Sequence, residues 1–331
     1  MLLRQARSRK SPEAAVAWLE KVLSTERAEG IEIETFWGFT PTAKEVFCGD
    51  IQLLAFSSLP PSRQKEALSE PPLGSISRLS TPPFAWKEPC AAFARPVTIQ
   101  PLLVDTNVKL QLEETQLFSA LVADARLCLS ASGPAAIVPG PGWFQFTDPD
   151  LELARLGAGA HFTHQEITPL TLGNAGQVNS VHASDSFCRF LALDSSYQNR
   201  VRTAMQRLGL ACLRRAPADS ALELAIALEA LLVDTPGEHT FKLAFRAAIL
   251  TGTDLESRRR TRSIIEAMYK MRSSLMHSGQ CSETVKVRGF ANARSTEVIA
   301  EASRITAMVI HRMIDEGNPP DWNTLELSIT I

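Results

Sequence analysis

Several things are missing from this chain, and each absence excludes something. There is no CxxC pair. The six cysteines (Cys48, Cys90, Cys128, Cys188, Cys212 and Cys281) are scattered, which excludes a zinc ribbon and a thioredoxin-type dithiol. No uninterrupted apolar run approaches the ~18 residues of a membrane span. The first residues, MLLRQARSRKSPEAA, hold no apolar stretch of secretory length. The expectation is a soluble, cytoplasmic protein with no membrane contact and with reduced cysteines. Net charge is also scarce: 34 Lys+Arg stand against 36 Asp+Glu, a balance of -2. That excludes both a strongly basic nucleic-acid coat and an acidic disordered chain. A third histidine near His161, His164 and Glu166 (HFTHQE) is lacking as well, so this segment reads as strand or loop rather than a metal site. No metal or other cofactor is expected.

Proline is scarce in one half only. Sixteen of the 20 prolines precede residue 180, and between 180 and 316 there are only Pro217 and Pro236. Proline has no N–H and breaks helix interiors, so the first half does not read as a helical bundle, whereas the second can. With 331 residues, 45% of them hydrophobic, the chain has room for two domains with real cores. The expected class is α+β: a β-rich N-terminal domain over 1–180, a C-terminal all-α bundle over 185–316 and a tail over 317–331.

In the first half a helix is expected from Pro12 to Thr25. IEIETFWGF and EVFCGDIQLLAF follow as two strands across a turn, and 59–83 as loop. AAFARPVTIQPLLV and ARLCLSASGPAAIV suggest further strands. Trp143, Phe144 and Phe146 in GPGWFQF suit either the domain core or a platform on which bases stack.

In the second half Phe187, Phe190, Tyr197, Val201, Met205 and Leu208 recur at steps near three and four, with one seven-residue gap. DSALELAIALEALLV is apolar almost all round, as a central bundle helix is. Thr240 is placed to cap a third helix ending at Gly252, and Asp254 a fourth ending at Ser278-Gly279. A fifth, from Ser295, buries Ile299, Ala302, Ile305 and Val309. Five helices with short links predict an antiparallel bundle. Residues 186–316 carry 19 Lys+Arg and 14 Asp+Glu, against 15 and 22 elsewhere. The bundle is therefore the half suited to a polyanion.

The fourth helix ends MYKMRSSLMHSG, with Arg272 and His277 separated by four residues. A guanidinium can hold two oxygens of a phosphorane, and an imidazole titrates where it can move protons at neutral pH. Together they form a minimal set for cutting RNA through its own 2′-hydroxyl without a metal. A five-residue step turns about 140° around a straight helix. The pair therefore converges within one chain only if the helix bends or frays near His277, or else it meets across two copies. A helix C-terminus also favours positive charge there.

The segments ALELAIALEALLV, FKLAFRAAILTG and Tyr269-x-x-Arg272-Ser273-x-x-x-His277 occur in this order, and together they resemble a HEPN domain of the Apea-like branch over roughly 185–316. The first half is faintly similar, through GDIQLLAFSSLPPS, to β-rich regions that accompany some Apea-like domains. The resemblance implies a helical bundle whose Arg272 and His277 form a metal-independent endoribonuclease site duplicated across a homodimer. It also implies an RNA substrate and a role as a toxin or effector in bacterial defence, with an antitoxin or other defence-system partner. Some members of the family have lost activity and serve as dimerisation or nucleotide- or RNA-binding modules, and this alternative stays open.

Around that pair, Glu229 is either a support that orients Arg272 or His277 or a structural partner of Arg246. Tyr269, Ser273 and Arg246 are further supporting candidates. Arg258, Arg259, Arg260 and Arg262 either contact RNA phosphates or form a solvated helix face.

Overall fold

The structure, a computed structural model, describes residues 2–69, 88–100, 105–151, 178–233, 239–279 and 281–327. The chain is mixed α+β and divides into two compact units. One comprises Met1–Ala123 with Val138–Asn174, the other Asp124–Ile137 with Ala175–Ile331. The stretch 124–137 thus groups with the C-terminal unit, which an uninterrupted boundary near 180 did not anticipate. The histidines of HFTHQE lie outside the described residues.

The first unit is built on a five-stranded antiparallel sheet in the order β2-β3-β4-β1-β5. Its strands are β1 (Ala28–Trp37), β2 (Glu45–Cys48), β3 (Ile51–Ala55), β4 (Ala91–Ile99) and β5 (Val138–Phe146). EVFCGDIQLLAF is accordingly a hairpin of two strands, not one. Helices α1 (Leu2–Arg9), α2 (Pro12–Ser24) and α3 (Arg63–Ser69) belong to the same unit. Ser11 caps α2 by accepting from the Ala14 N–H, with Pro12 opening the first turn. Central strand β1 alternates as it must: Ile33 enters a cluster with Leu54, Phe56, Ala92, Ala94 and Trp143, while Glu32 and Glu34 share the opposite face. Buried carboxylates need partners. Glu32 takes a two-pronged bond from Arg95 at 2.9 and 3.1 Å, and Glu34 accepts from Ser119 at 2.6 Å. Trp143 and Phe146 are almost wholly buried, so GPGWFQF supplies core and not a stacking platform.

The segment ARLCLSASGPAAIV corrects the expectation of another strand. Through Ala131 it is the end of the long helix α4 (Asp105–Ala131), and β5 begins only at Val138. Val122, Ala125, Cys128 and Leu129 recur at helical spacing and are fully buried. The polar residues between them imitate a two-residue alternation over a few positions.

In the second unit the helical expectation holds in type, with one extra break. Helix α5 (Ser180–Leu191) is separate from α6 (Ser195–Leu213). The break falls inside the seven-residue gap of the apolar pattern, where the Asp194 side chain caps α6. Then come α7 (Pro217–Leu232), α8 (His239–Thr251), α9 (Leu255–Ser278) and α10 (Ser295–Glu316). Asp254 caps α9 in a reciprocal box with Ser257. Thr240 lies inside α8 rather than capping it. In α10 Ala302, Ile305 and Val309 are buried as expected, but Val298 is buried where Ile299 was expected, and Ile299 is only partly covered. A two-residue hairpin, β6 (Thr284–Val285) with β7 (Ala293–Arg294), joins α9 to α10.

The segment expected as a tail carries a short helix, α11 (Trp322–Leu327), whose Trp322 is buried. In the same unit His311 sits between Ser186 Oγ and the Ala131 carbonyl, 3.0 Å from each. Burial, helped by neighbouring His182, pushes its pKa down to about 4. Cys90, Cys128, Cys212 and Cys281 are free thiols. Among the described residues no helix is long and apolar enough to cross a membrane.

Candidate functional site

Helix α9 carries Arg272 in its last two turns. Tyr269 lies one turn earlier on the same side, the i,i+3 relation that brings side chains together. Arg272 Nη1 donates to the Tyr269 hydroxyl at 2.9 Å, and its guanidinium lies 4.9 Å from the Tyr269 ring centre. The hydroxyl in turn donates to Glu229 Oε1 at 3.1 Å, from helix α7. Arg272 Nη2 is itself 3.9 Å from that oxygen. The result is a relay, Arg272 to Tyr269 to Glu229, that orients the guanidinium from a second helix. Burial first, then the Glu229 carboxylate, raises the Tyr269 pKa, so the phenol stays protonated and can bridge. The side chains of Arg272 and Glu229 remain 28% and 27% exposed. This decides their availability: the relay is anchored but not sealed, and the outer edge of the guanidinium stays open to a ligand. Arg272 Nε is buried without an acceptor, a deficit of about 1–3 kcal/mol that the rest of the cluster has to offset.

His277 is exposed, five residues further along α9. The helix does not fray before it: helical geometry runs through Ser278, whose hydroxyl bonds the Ser274 carbonyl at 2.7 Å. Gly279 then ends the helix in the left-handed conformation at φ 66°, where glycine costs least. No frayed turn therefore brings the pair together within one chain. At helical geometry the two residues stand about 140° apart around the axis and about 7.5 Å along it. Ser273 is partly buried and makes no hydrogen bond among the described residues.

Arg246 is not part of this cluster. It is buried, donates to the Leu232 carbonyl at 2.6 Å and to Glu326 Oε1 at 2.7 Å, and lies 4.5 Å from the Trp322 ring centre. The ion pair weighed between Glu229 and Arg246 does not form, since Arg246 holds α11 against the bundle instead. The more deeply buried carboxylate of α7 is one that sequence reasoning passed over. Glu223 takes bonds from Arg207 at 3.0 Å and from Arg214 at 3.1 and 2.5 Å. A signal existed, since Glu223 stands in the same almost all-apolar segment as Glu229.

The four arginines at the start of α9 separate into different roles. Arg258 donates to the Gly252 carbonyl at 3.2 Å. A Cβ at Gly252 would stand 2.4 Å from the Arg258 side chain, so this arginine clasps the α8–α9 corner. Arg262 pairs with Glu266 at 2.8 Å and lies 5.2 Å from the Phe241 ring centre. Arg260 lies 6.0 Å from the Phe290 ring centre. Arg259 is exposed. Arg259 and Arg262, with Glu256 and Glu266, line one wall of a cleft of about 640 Å³ whose other wall includes Arg288 and Phe290. The last two lie in the β6–β7 turn, which composition and periodicity gave no reason to single out.

Among the described residues no group of three or more His, Cys, Asp or Glu side chains gathers that could hold a metal ion. No protein-family model, no curated protein and no solved structure matches the chain.

Proposed function

We propose that this protein is a metal-independent endoribonuclease of the HEPN type, acting as a homodimer in which Arg272 and His277 serve the cut. The observation that carries the reading is the Arg272–Tyr269–Glu229 relay. A surface arginine at a helix end is ordinarily free to rotate, whereas this one is held by a neutral phenol and a carboxylate from another helix. Orienting a guanidinium in advance is what stabilising a phosphorane requires. In this reading the 2′-hydroxyl attacks the adjacent phosphorus, and Arg272 binds the non-bridging oxygens as charge gathers on them. His277 moves a proton to or from the reacting oxygens. The 5′-oxygen leaves and a 2′,3′-cyclic phosphate remains. A continuous α9 sets Arg272 and His277 on different sides of the helix, so a complete set is gathered from two copies meeting across a two-fold axis. The biological setting that fits such an activity is a toxin or defence effector acting in the cytoplasm, held in check by an antitoxin.

The same separation of the two side chains favours a second reading, a non-catalytic module that dimerises or binds RNA through this face. One assay separates the two. Total RNA is incubated with the full chain in EDTA, and the ends are analysed. The nuclease reading expects cyclic phosphate ends that vanish in Arg272→Ala and His277→Ala. RNA that stays intact, or is cut equally by both variants, overturns it.

A further inference from the structure

The cleft beside the start of α9 is chemically unlike the Arg272 relay. Glu256, Arg259, Ser263 and Glu266 recur at steps of three and four, so they share one face of α9. Arg262 extends the same wall, and Arg288 and Phe290 approach from the β6–β7 turn. Arg262 is neutralised by Glu266 at 2.8 Å. Arg259 and Arg288 are not: neither forms an ion pair among the described residues, and both are exposed. Phe290 lines the cleft with these cations, and Phe241 lies beside Arg262. Phe290 is 42% exposed and Phe241 is 49% exposed, and Phe241 stacks on Phe245 with centroids 5.6 Å apart. Each has an arginine over its face, Arg260 over Phe290 and Arg262 over Phe241.

Unpaired guanidiniums interleaved with exposed aromatic faces match a single-stranded polynucleotide, whose phosphates need cations and whose bases need flat apolar surfaces. A mononucleotide pocket would enclose its ligand, whereas these groups are spread along a rim. An acidic peptide would use the arginines and leave both rings bare.

We propose that this cleft binds a segment of single-stranded RNA, with phosphates on Arg259 and Arg288 and a base against Phe290. The proposal rests on the RNA-cutting reading only for why the strand is RNA. Arg259 lies about 20 Å along α9 from Arg272, at 1.5 Å per residue. The cleft is thus a separate holding point, where a strand is gripped several nucleotides from the bond to be cut.

The test measures anisotropy of a fluorescent 2′-O-methyl RNA of roughly 12 nucleotides, which spans one such site. Its ribose cannot be cut through the 2′-oxygen. The full chain is used, and far-UV circular dichroism checks each variant. The double variant Arg259→Ala/Arg288→Ala should weaken binding about tenfold, and should flatten the slope of log affinity against log salt by about 1.4. Phe290→Ala should weaken binding about tenfold with the slope unchanged. Glu256→Gln should tighten binding by removing a repelling charge. Binding that is undetectable, or unchanged within a factor of two in the double variant, overturns the proposal. Equal displacement by adenosine monophosphate or by polyglutamate also overturns it, in favour of a nucleotide or a protein ligand. Because the probe is uncleavable, the cleft stands or falls independently of the nuclease: binding lost in these variants with no cleavage of any RNA would sustain the cleft and sink the nuclease.

Discussion

Two carboxylates on α7, six residues apart, meet opposite fates. Glu223 is buried and held by Arg207 and Arg214. Glu229 is a quarter exposed, and its nearest partners are a phenol and a guanidinium 3.9 Å away. The first arrangement has three arginine bonds on one carboxylate, which is thereby saturated with donors. The second is incomplete by comparison, with an arginine oriented but not neutralised in close contact. One helix thus carries a carboxylate saturated directly by cations and another that orients a cation through a phenol.

The comparison breaks most sharply on activity. His277→Ala should lower RNA cleavage by roughly a thousandfold, as loss of a proton-transferring group does. Arg272→Lys should lower it about a hundredfold, because an ammonium cannot reproduce the two-pronged grip. Both are read as initial rates on a defined RNA, with urea melts expected to match the wild type. A nuclease rate indifferent to either change would leave Glu229 and Glu223 functionally alike.

Stability should respond elsewhere, first to pH. Buried His311 has its pKa pushed down to about 4, from an ordinary 6.5. The unfolded chain takes up a proton near pH 6.5 that the folded chain refuses until about pH 4. Stability from this group is therefore full above pH 6.5 and falls as the pH drops toward 4, by up to about 3 kcal/mol. Urea unfolding of the wild type and His311→Gln across that window checks it, since the variant should lack this part of the slope. A wild-type slope no steeper than the variant's would show that His311 charges freely in the fold.

Next, Glu223→Ala should cost about 2 kcal/mol in urea unfolding, because two charged hydrogen-bond sets vanish from a buried position. The arginines it leaves behind are partly exposed and rehydrate, which keeps the loss below that of a fully buried pair. Glu229→Gln should cost less than about 1 kcal/mol, as its pair is open to solvent. If the order were reversed, the relay would be the structural cluster. The smallest effect belongs to Tyr269→Phe. It deletes one hydroxyl from the relay and should slow cleavage about tenfold with little change in stability. Restoration of the rate in a Tyr269→Phe/Glu229→Gln double variant would contradict the relay.

What could be read from the sequence followed from local chemistry. Pro217 opening α7, the Asp254 box opening α9 and Gly279 closing it are signals carried by one to four neighbouring residues. The break at Asp194 was visible as a gap in the apolar pattern. Tyr269, Arg272 and Glu229 stood out by residue type and position. What escaped depends on distant partners. Arg246 is paid for by Glu326, 80 residues away, and no spacing rule reaches that far. The α4 segment at Ala125–Ala131 was misread because burial on several sides of a helix removes the polar stripe that marks it. The cleft wall at Arg288 and Phe290 comes from a turn, where residue order carries no periodicity.

The claim that Arg272 and His277 act together across two copies is most directly tested by mixing two inactive chains, one Arg272→Ala and one His277→Ala, under conditions where dimers exchange. A site drawing its arginine from one copy and its histidine from the other predicts that the mixture regains roughly a quarter of wild-type cleavage, from the one intact site in each mixed dimer. A mixture as inactive as its components, with mixed dimers demonstrated by mass spectrometry, would contradict the shared site.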